Sequence, residues 1–113
     1  MIDLKNQTCD VCRAGAPPAS DTEIAEFLDQ NSYWGVISTS EQPRLKRKYT
    51  FSNYKMTLDF VNKIGQISES QGHHPSLIVE WGSVSVEWWT HKINSIHLND
   101  LIMAAKCDTL YGE

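Results

Sequence analysis

The chain lacks a long apolar run, an excess of positive charge and any paired cysteine framework, and each absence removes a class of function. No segment approaches the roughly 20 apolar residues that a membrane-spanning helix needs. The opening residues, Met1-Ile2-Asp3-Leu4-Lys5, carry no apolar stretch of the signal-peptide kind. The expected location is therefore cytoplasmic, where thiols stay reduced. Ten Lys and Arg against 14 Asp and Glu leave a formal charge of −4, so no global positive field invites nucleic acid. Cys9 and Cys12 form one C-x2-C pair, but a structural zinc takes four ligands and no second pair follows; Cys107 stands alone. The G-x-S-x-G elbow, the P-loop, the G-x-G-x-x-G loop and H-E-x-x-H are all missing, which removes the best-marked nucleophile, nucleotide-phosphate and zinc-protease readings.

What is present fits one small domain. At 113 residues, a single core is expected over 20–113, behind an irregular leader at 1–19 that includes the loop-forming Ala14-Gly15-Ala16-Pro17-Pro18. Ser20-Asp21-Thr22-Glu23 reads as a capping box, and Ile24, Phe27 and Leu28 give the helix behind it an apolar stripe ending near Asn31. Two strands follow, about 34–39 and 44–51, joined by turn residues 40–43. Leu45, Arg47, Tyr49 and Phe51 share one face of the second strand, and the basic run Arg44–Lys48 reads as a solvated face. Met56, Phe60, Ile64 and Ile67, widened by Leu58 and Val61, predict the strongest helix over 53–70, capped by Ser52 or Asn53 and ended by Gly72. Leu77, Val79 and Trp81 alternate in a third strand, and Val84, Val86 and Trp88 in a fourth, with the turn at Gly82-Ser83. Residues 94–99 read as a loop, and Leu98, Leu101, Ile102 and Ala105 mark a last helix. The expected fold is α+β: a four-stranded antiparallel sheet with three helices on one face, in the order α-β-β-α-β-β-α.

That topology gathers the chemistry. His73-His74-Pro75 stands where the long helix hands over to the third strand, and Pro75 holds His74 out of the helix. Thr90-His91 stands where the fourth strand ends. The start of one strand of a hairpin lies beside the end of the other, so three imidazoles are expected at one rim. Asp100, opening the last helix, and Glu69, in the last turn of the long one, lie near the same edge. Three roles are open to this cluster: acid–base catalysis without metal, a metal site of two histidines and a carboxylate, or a hydrogen-bonded structural edge. Three imidazoles with two carboxylates favour catalysis.

The run Glu69-Ser70-Gln71-Gly72-His73-His74-Pro75, then Trp81, Thr90-His91 and Asp100, resembles the pterin-4a-carbinolamine dehydratases, from about Phe51 to Tyr111 and more loosely back to Ser20. Two positions depart from the family pattern: Gly72, where many members are acidic, and Leu77, often aromatic. The resemblance implies a lyase without cofactor or metal that dehydrates a 4a-hydroxytetrahydropterin to quinonoid dihydropterin and water. It implies His73 and His91 as acid and base and His74 as the residue that orients the pterin. Asp100 would fix a tautomer or help bind, Glu69 and Trp81 would shape the pocket, and the backbone around Pro75 and Thr90 would line it. It also implies self-association as a dimer or tetramer, and, through the leader with Cys9 and Cys12, a link to phenylalanine hydroxylase. The competing implication is a non-enzymatic dimerisation or transcriptional cofactor, or a regulator of the partner hydroxylase, acting through long-helix residues such as Lys55, Asp59 and Lys63.

Overall fold

A computed structural model describes residues 4–7, 9, 18–38 and 42–112. Cys12, residues 14–17 of the leader loop and residues 40 and 41 of the 40–43 turn lie outside them. Helix α1 spans Asp21–Gln30 behind the expected cap: the Ser20 hydroxyl accepts the Glu23 N–H at 3.1 Å, and Glu23 Oε1 accepts the Ser20 N–H at 2.8 Å. Strands β1 (Gly35–Ser38) and β2 (Pro43–Thr50) pair antiparallel. Helix α2 (Tyr54–Gln71) starts on Asn53, whose side chain accepts the Met56 N–H at 2.8 Å, a cap contributing about 1 kcal/mol. Strands β3 (Ser76–Glu80) and β4 (Ser83–Trp88) form the second hairpin, and helix α3 (Leu98–Tyr111) closes the chain. The sheet order is β1-β2-β4-β3, antiparallel throughout, so the chain adopts the α+β arrangement its pattern predicts. No described helix is long and apolar enough to cross a membrane.

The core lies between one sheet face and the helices. Leu45, Tyr49, Val84, Val86 and Trp88 come from the sheet; Phe27 comes from α1, Phe60 and Ile64 from α2, and Leu101, Met103, Ala104 and Cys107 from α3. Burial pushes the Cys107 thiol well up and removes it from thiolate chemistry at neutral pH.

Four expectations are corrected. The basic run is not a solvated face, because β2 alternation turns Arg47 onto the core side between Leu45 and Tyr49. Arg47 is only 4 % exposed, and it donates to Asp108 Oδ1 at 2.6 Å. Asp108 also accepts from the Tyr49 hydroxyl at 2.6 Å and from Trp34 Nε1 at 3.0 Å. Desolvation nevertheless pushes its carboxyl up from the ordinary carboxylate range. Second, the buried stripe of α2 is Thr57, Phe60, Ile64 and Ser68, so Met56 and Leu58 face outward. Thr57 tolerates the core because its hydroxyl donates locally to the Asn53 carbonyl at 2.9 Å. Third, the β3–β4 turn is Trp81-Gly82, since Glu80 pairs with Ser83. Glycine suits that position: a Cβ would sit 3.0 Å from the Phe51 carbonyl oxygen, a tight contact. Fourth, the 94–99 loop is shorter than expected, because α3 begins at Leu98, and a 3-10 turn at His91–Ile93 precedes it. Within the leader, Leu4–Asn6 also form a 3-10 turn, with Leu4 packed against the core.

Candidate active site

The histidine rim is built by two helix ends and one strand end. Gly72 closes α2 in the left-handed region, φ 65°, and the His73 N–H bonds back to the Ser68 carbonyl at 3.2 Å. The chain thus turns sharply and delivers His73 against the end of β4. There its ring stacks on Trp88, with centroids 5.5 Å apart and planes 14° from parallel. The His73 Nε2 lies 2.5 Å from Asp100 Oδ1.

Asp100 is the hub. It is fully buried in the first turn of α3, and Oδ2 accepts from the Thr90 hydroxyl at 2.8 Å and from the His97 N–H at 2.9 Å. A carboxylate only accepts, so His73 Nε2 carries a proton toward Asp100, and in the neutral ring Nδ1 keeps the lone pair. Among the described residues, Nδ1 has no hydrogen-bond partner. His97 completes the cap of α3 by accepting the Asn99 N–H on Nδ1 at 3.0 Å.

Thr90 links this pair to His91. A bridge to Ser95 (Thr90 N–H to Ser95 carbonyl, 2.9 Å) pinches off a short loop, and Asn94 turns it in the left-handed region at φ 49°. His91 sits on that loop, exposed, its ring 4.5 Å from the Trp89 ring. The Arg44 guanidinium also lies over the Trp89 ring, 3.7 Å from the centroid, and is paired with Glu87 at 2.9 Å. His74 is exposed and bonds Glu69 Oε1 through Nε2 at 3.0 Å. Pro75, half-buried, leads into β3.

The structure therefore joins His73, Asp100 and Thr90 directly, sets His91 one residue beyond Thr90, and joins His74 to Glu69. It does not bring Trp81 to them. That side chain is 67 % exposed in the turn at the opposite end of the β3–β4 hairpin, one strand length away. Sequence reasoning missed Trp88, Trp89, Arg44 and His97. The period-two pattern assigned Trp88 to the core but not to the histidine, and histidine is not a standard cap residue. Among the described residues no three His, Cys, Asp or Glu side chains converge as the ligands of one metal would. A separate cavity of about 450 Å³ lies between α1 and α3, lined by Phe27, Tyr33, Leu101 and Asp108 among others, and by none of the histidines.

Such a constellation can move protons: one ring is fixed by a buried carboxylate with a free nitrogen, and two more imidazoles stand at the surface nearby. Residues 17–110 match the family model described as pterin 4 alpha carbinolamine dehydratase. A protein of Syntrophotalea carbinolica named "putative pterin-4-alpha-carbinolamine dehydratase" is 49% identical over 110 residues, 97% of this chain and 98% of its own. A protein of the same name from Saccharophagus degradans is 45% identical, over 98% of each chain. Among solved structures, a transcriptional coactivator/pterin dehydratase of Brucella melitensis shares the fold with a TM-score of 0.77 at 23% identity, over 85% of this chain and all of that one.

Proposed function

This chain belongs to the pterin 4 alpha carbinolamine dehydratase family, and from that premise we propose that it is a hydro-lyase converting a 4a-hydroxytetrahydropterin to quinonoid dihydropterin and water. The observation that carries the reading is Asp100, which holds His73 and Thr90 on its two oxygens and so sets a basic imidazole nitrogen beside the strand end that presents His91. His73 Nδ1 takes the proton from N5 of the pterin. The N5 electrons form the C4a=N5 double bond as the C4a–O bond breaks, and His91 protonates the departing hydroxyl to water. Each proton transfer contributes about 10²–10⁴ in rate. His74, held by Glu69, orients the ring, with the backbone at Pro75 and Thr90 as pocket wall. Within one protomer Trp81 stands a strand length from these residues. The reaction needs no cofactor, and its substrate would come from an aromatic amino acid hydroxylase acting on phenylalanine in the cytoplasm.

Measured against the spontaneous breakdown of the 4a-carbinolamine, the protein is expected to accelerate dehydration, and preincubation with a chelator is expected to leave that rate unchanged. A rate equal to the uncatalysed one removes the proposal. Loss of rate on chelation, restored by zinc or iron, transfers it to a metal mechanism.

A second reading, self-association with or without a regulatory role, is favoured by the outward side chains of α2. Tyr54, Met56 and Leu58 are 47 %, 48 % and 38 % exposed there, beside the Lys55–Asp59 pair at 3.2 Å. Light scattering is expected to give a dimer or tetramer; a particle of 12.9 kDa contradicts this.

A further inference from the structure

Residues 4–7 and Cys9 of the leader lie against α3 and the end of α2 without contributing to the proposed chemistry. Its 3-10 turn is fixed to the middle of α3, where Lys106 Nζ donates to the Lys5 carbonyl at 3.0 Å and Leu4 packs on the core. Two residues of chain further on than Gln7, the Cys9 N–H donates to Gln71 Oε1 at 2.9 Å, and the Cys9 thiol lies 4.0 Å from the Asn99 carbonyl oxygen. Gln71 is the last residue of α2, two before His73. Asn99 is the residue before Asp100. Cys9 therefore touches the two helix ends whose spacing sets the His73–Asp100 contact.

We propose that residues 4–7 with Cys9 form a strap that positions the His73–Asp100 pair, fastened to α2 through the Gln71 side chain. The physical reason is that this contact joins the ends of two different helices, and hydrogen bonds weaken steeply once their angle departs from the optimum. The bonds inside each helix end hold His73 to α2 and Asp100 to α3, and the shared core sets the two helices side by side. The strap adds a tie between their ends, through Gln71 on one and Asn99 on the other. When it is released, the ring rotates or withdraws, Nε2 loses its acceptor, and the tautomer that leaves Nδ1 basic is no longer enforced. Gln71 is thus a positioning residue, acting on substrate only through His73. The activity arm of the test rests on the dehydratase reading; the spectroscopic arm does not.

The test compares Gln71→Ala with Gln71→Glu in the full chain. Glutamate keeps an acceptor oxygen for the Cys9 N–H; alanine does not. The NMR shifts of the His73 ring nitrogens are expected to report one Nε2-protonated tautomer in wild type and in Gln71→Glu, and a mixture in Gln71→Ala. Because a misplacement of 1 Å can cost about 10²-fold, kcat is expected to fall about tenfold in Gln71→Ala with KM little changed, and to recover in Gln71→Glu. Unchanged ring-nitrogen shifts in Gln71→Ala overturn the strap, as does a Gln71→Glu variant that behaves like alanine. If wild type does not dehydrate the carbinolamine while the shifts still respond as expected, the strap stands and the dehydratase reading falls.

Discussion

His73→Ala is expected to lower kcat for carbinolamine dehydration by about 10²–10⁴-fold, the range for losing one positioned proton-transfer group. The effect is placed on kcat because His73 is 8 % exposed and held on Asp100, a geometry suited to presenting one nitrogen to a bound ring and poorly suited to gathering substrate from solution. His74, exposed on Glu69, belongs to binding, so His74→Ala is expected to raise KM more than it lowers kcat. Steady-state kinetics on both variants, with circular dichroism to show that the fold persists, separates the two roles. A His73→Ala enzyme that turns over normally would remove this ring from the reaction. The neighbouring Trp88 keeps its place in the core either way, because it is fully buried between sheet and helices.

Asp108→Ala is expected to be among the most destabilising single changes, at about 3–5 kcal/mol, because it removes a buried carboxylate to which the buried Arg47 guanidinium donates. Two further donors, the Tyr49 hydroxyl and the Trp34 indole N–H, lose the same acceptor. For a domain of this size that loss corresponds to a fall of about 10–30 °C in the thermal midpoint. The upward push on the Asp108 carboxyl shows that desolvation outweighs the pull of its donors. As for buried ion pairs generally, the intact pair is a small net contributor, even though breaking it is costly. A double variant, Arg47→Met with Asp108→Leu, is accordingly expected to regain most of the lost stability. Calorimetry on the three proteins decides this: a double variant as unstable as Asp108→Ala alone contradicts the desolvation argument. The 450 Å³ cavity beside Asp108 gives the replaced side chains room to repack.

How far each part was legible in the sequence follows from the range of the interactions that set it. Ser20 with Glu23, Asn53 at the head of α2 and Gly72 at its foot are local signals, complete within four residues, and the structure follows them. Period-two alternation in 83–88 and 45–49 fixed which side chains of β4 and β2 enter the core, including Arg47, whose charge had pointed the other way. Trp81 was read as the last residue of β3 and stands in the turn instead, because a two-residue turn and a strand end differ by one position. In α2, equally good stripes one residue apart compete, and packing against the sheet chose Thr57 over Met56.

By itself, then, the amino-acid order determined the seven elements, their antiparallel arrangement and the placing of His73, His74 and His91 at one end of a hairpin. These rest on near-neighbour periodicity and on the connectivity of short turns. Only the tertiary structure decided which partners those rings take: Asp100 for His73, Glu69 for His74, Trp89 for His91. It alone decided that Arg47 answers to Asp108 across 61 residues of chain and that Cys9 reaches Gln71 across 62. A hydrogen bond is set by a few tenths of an ångström, and that precision comes from the packing of the whole core, which no local window of sequence contains.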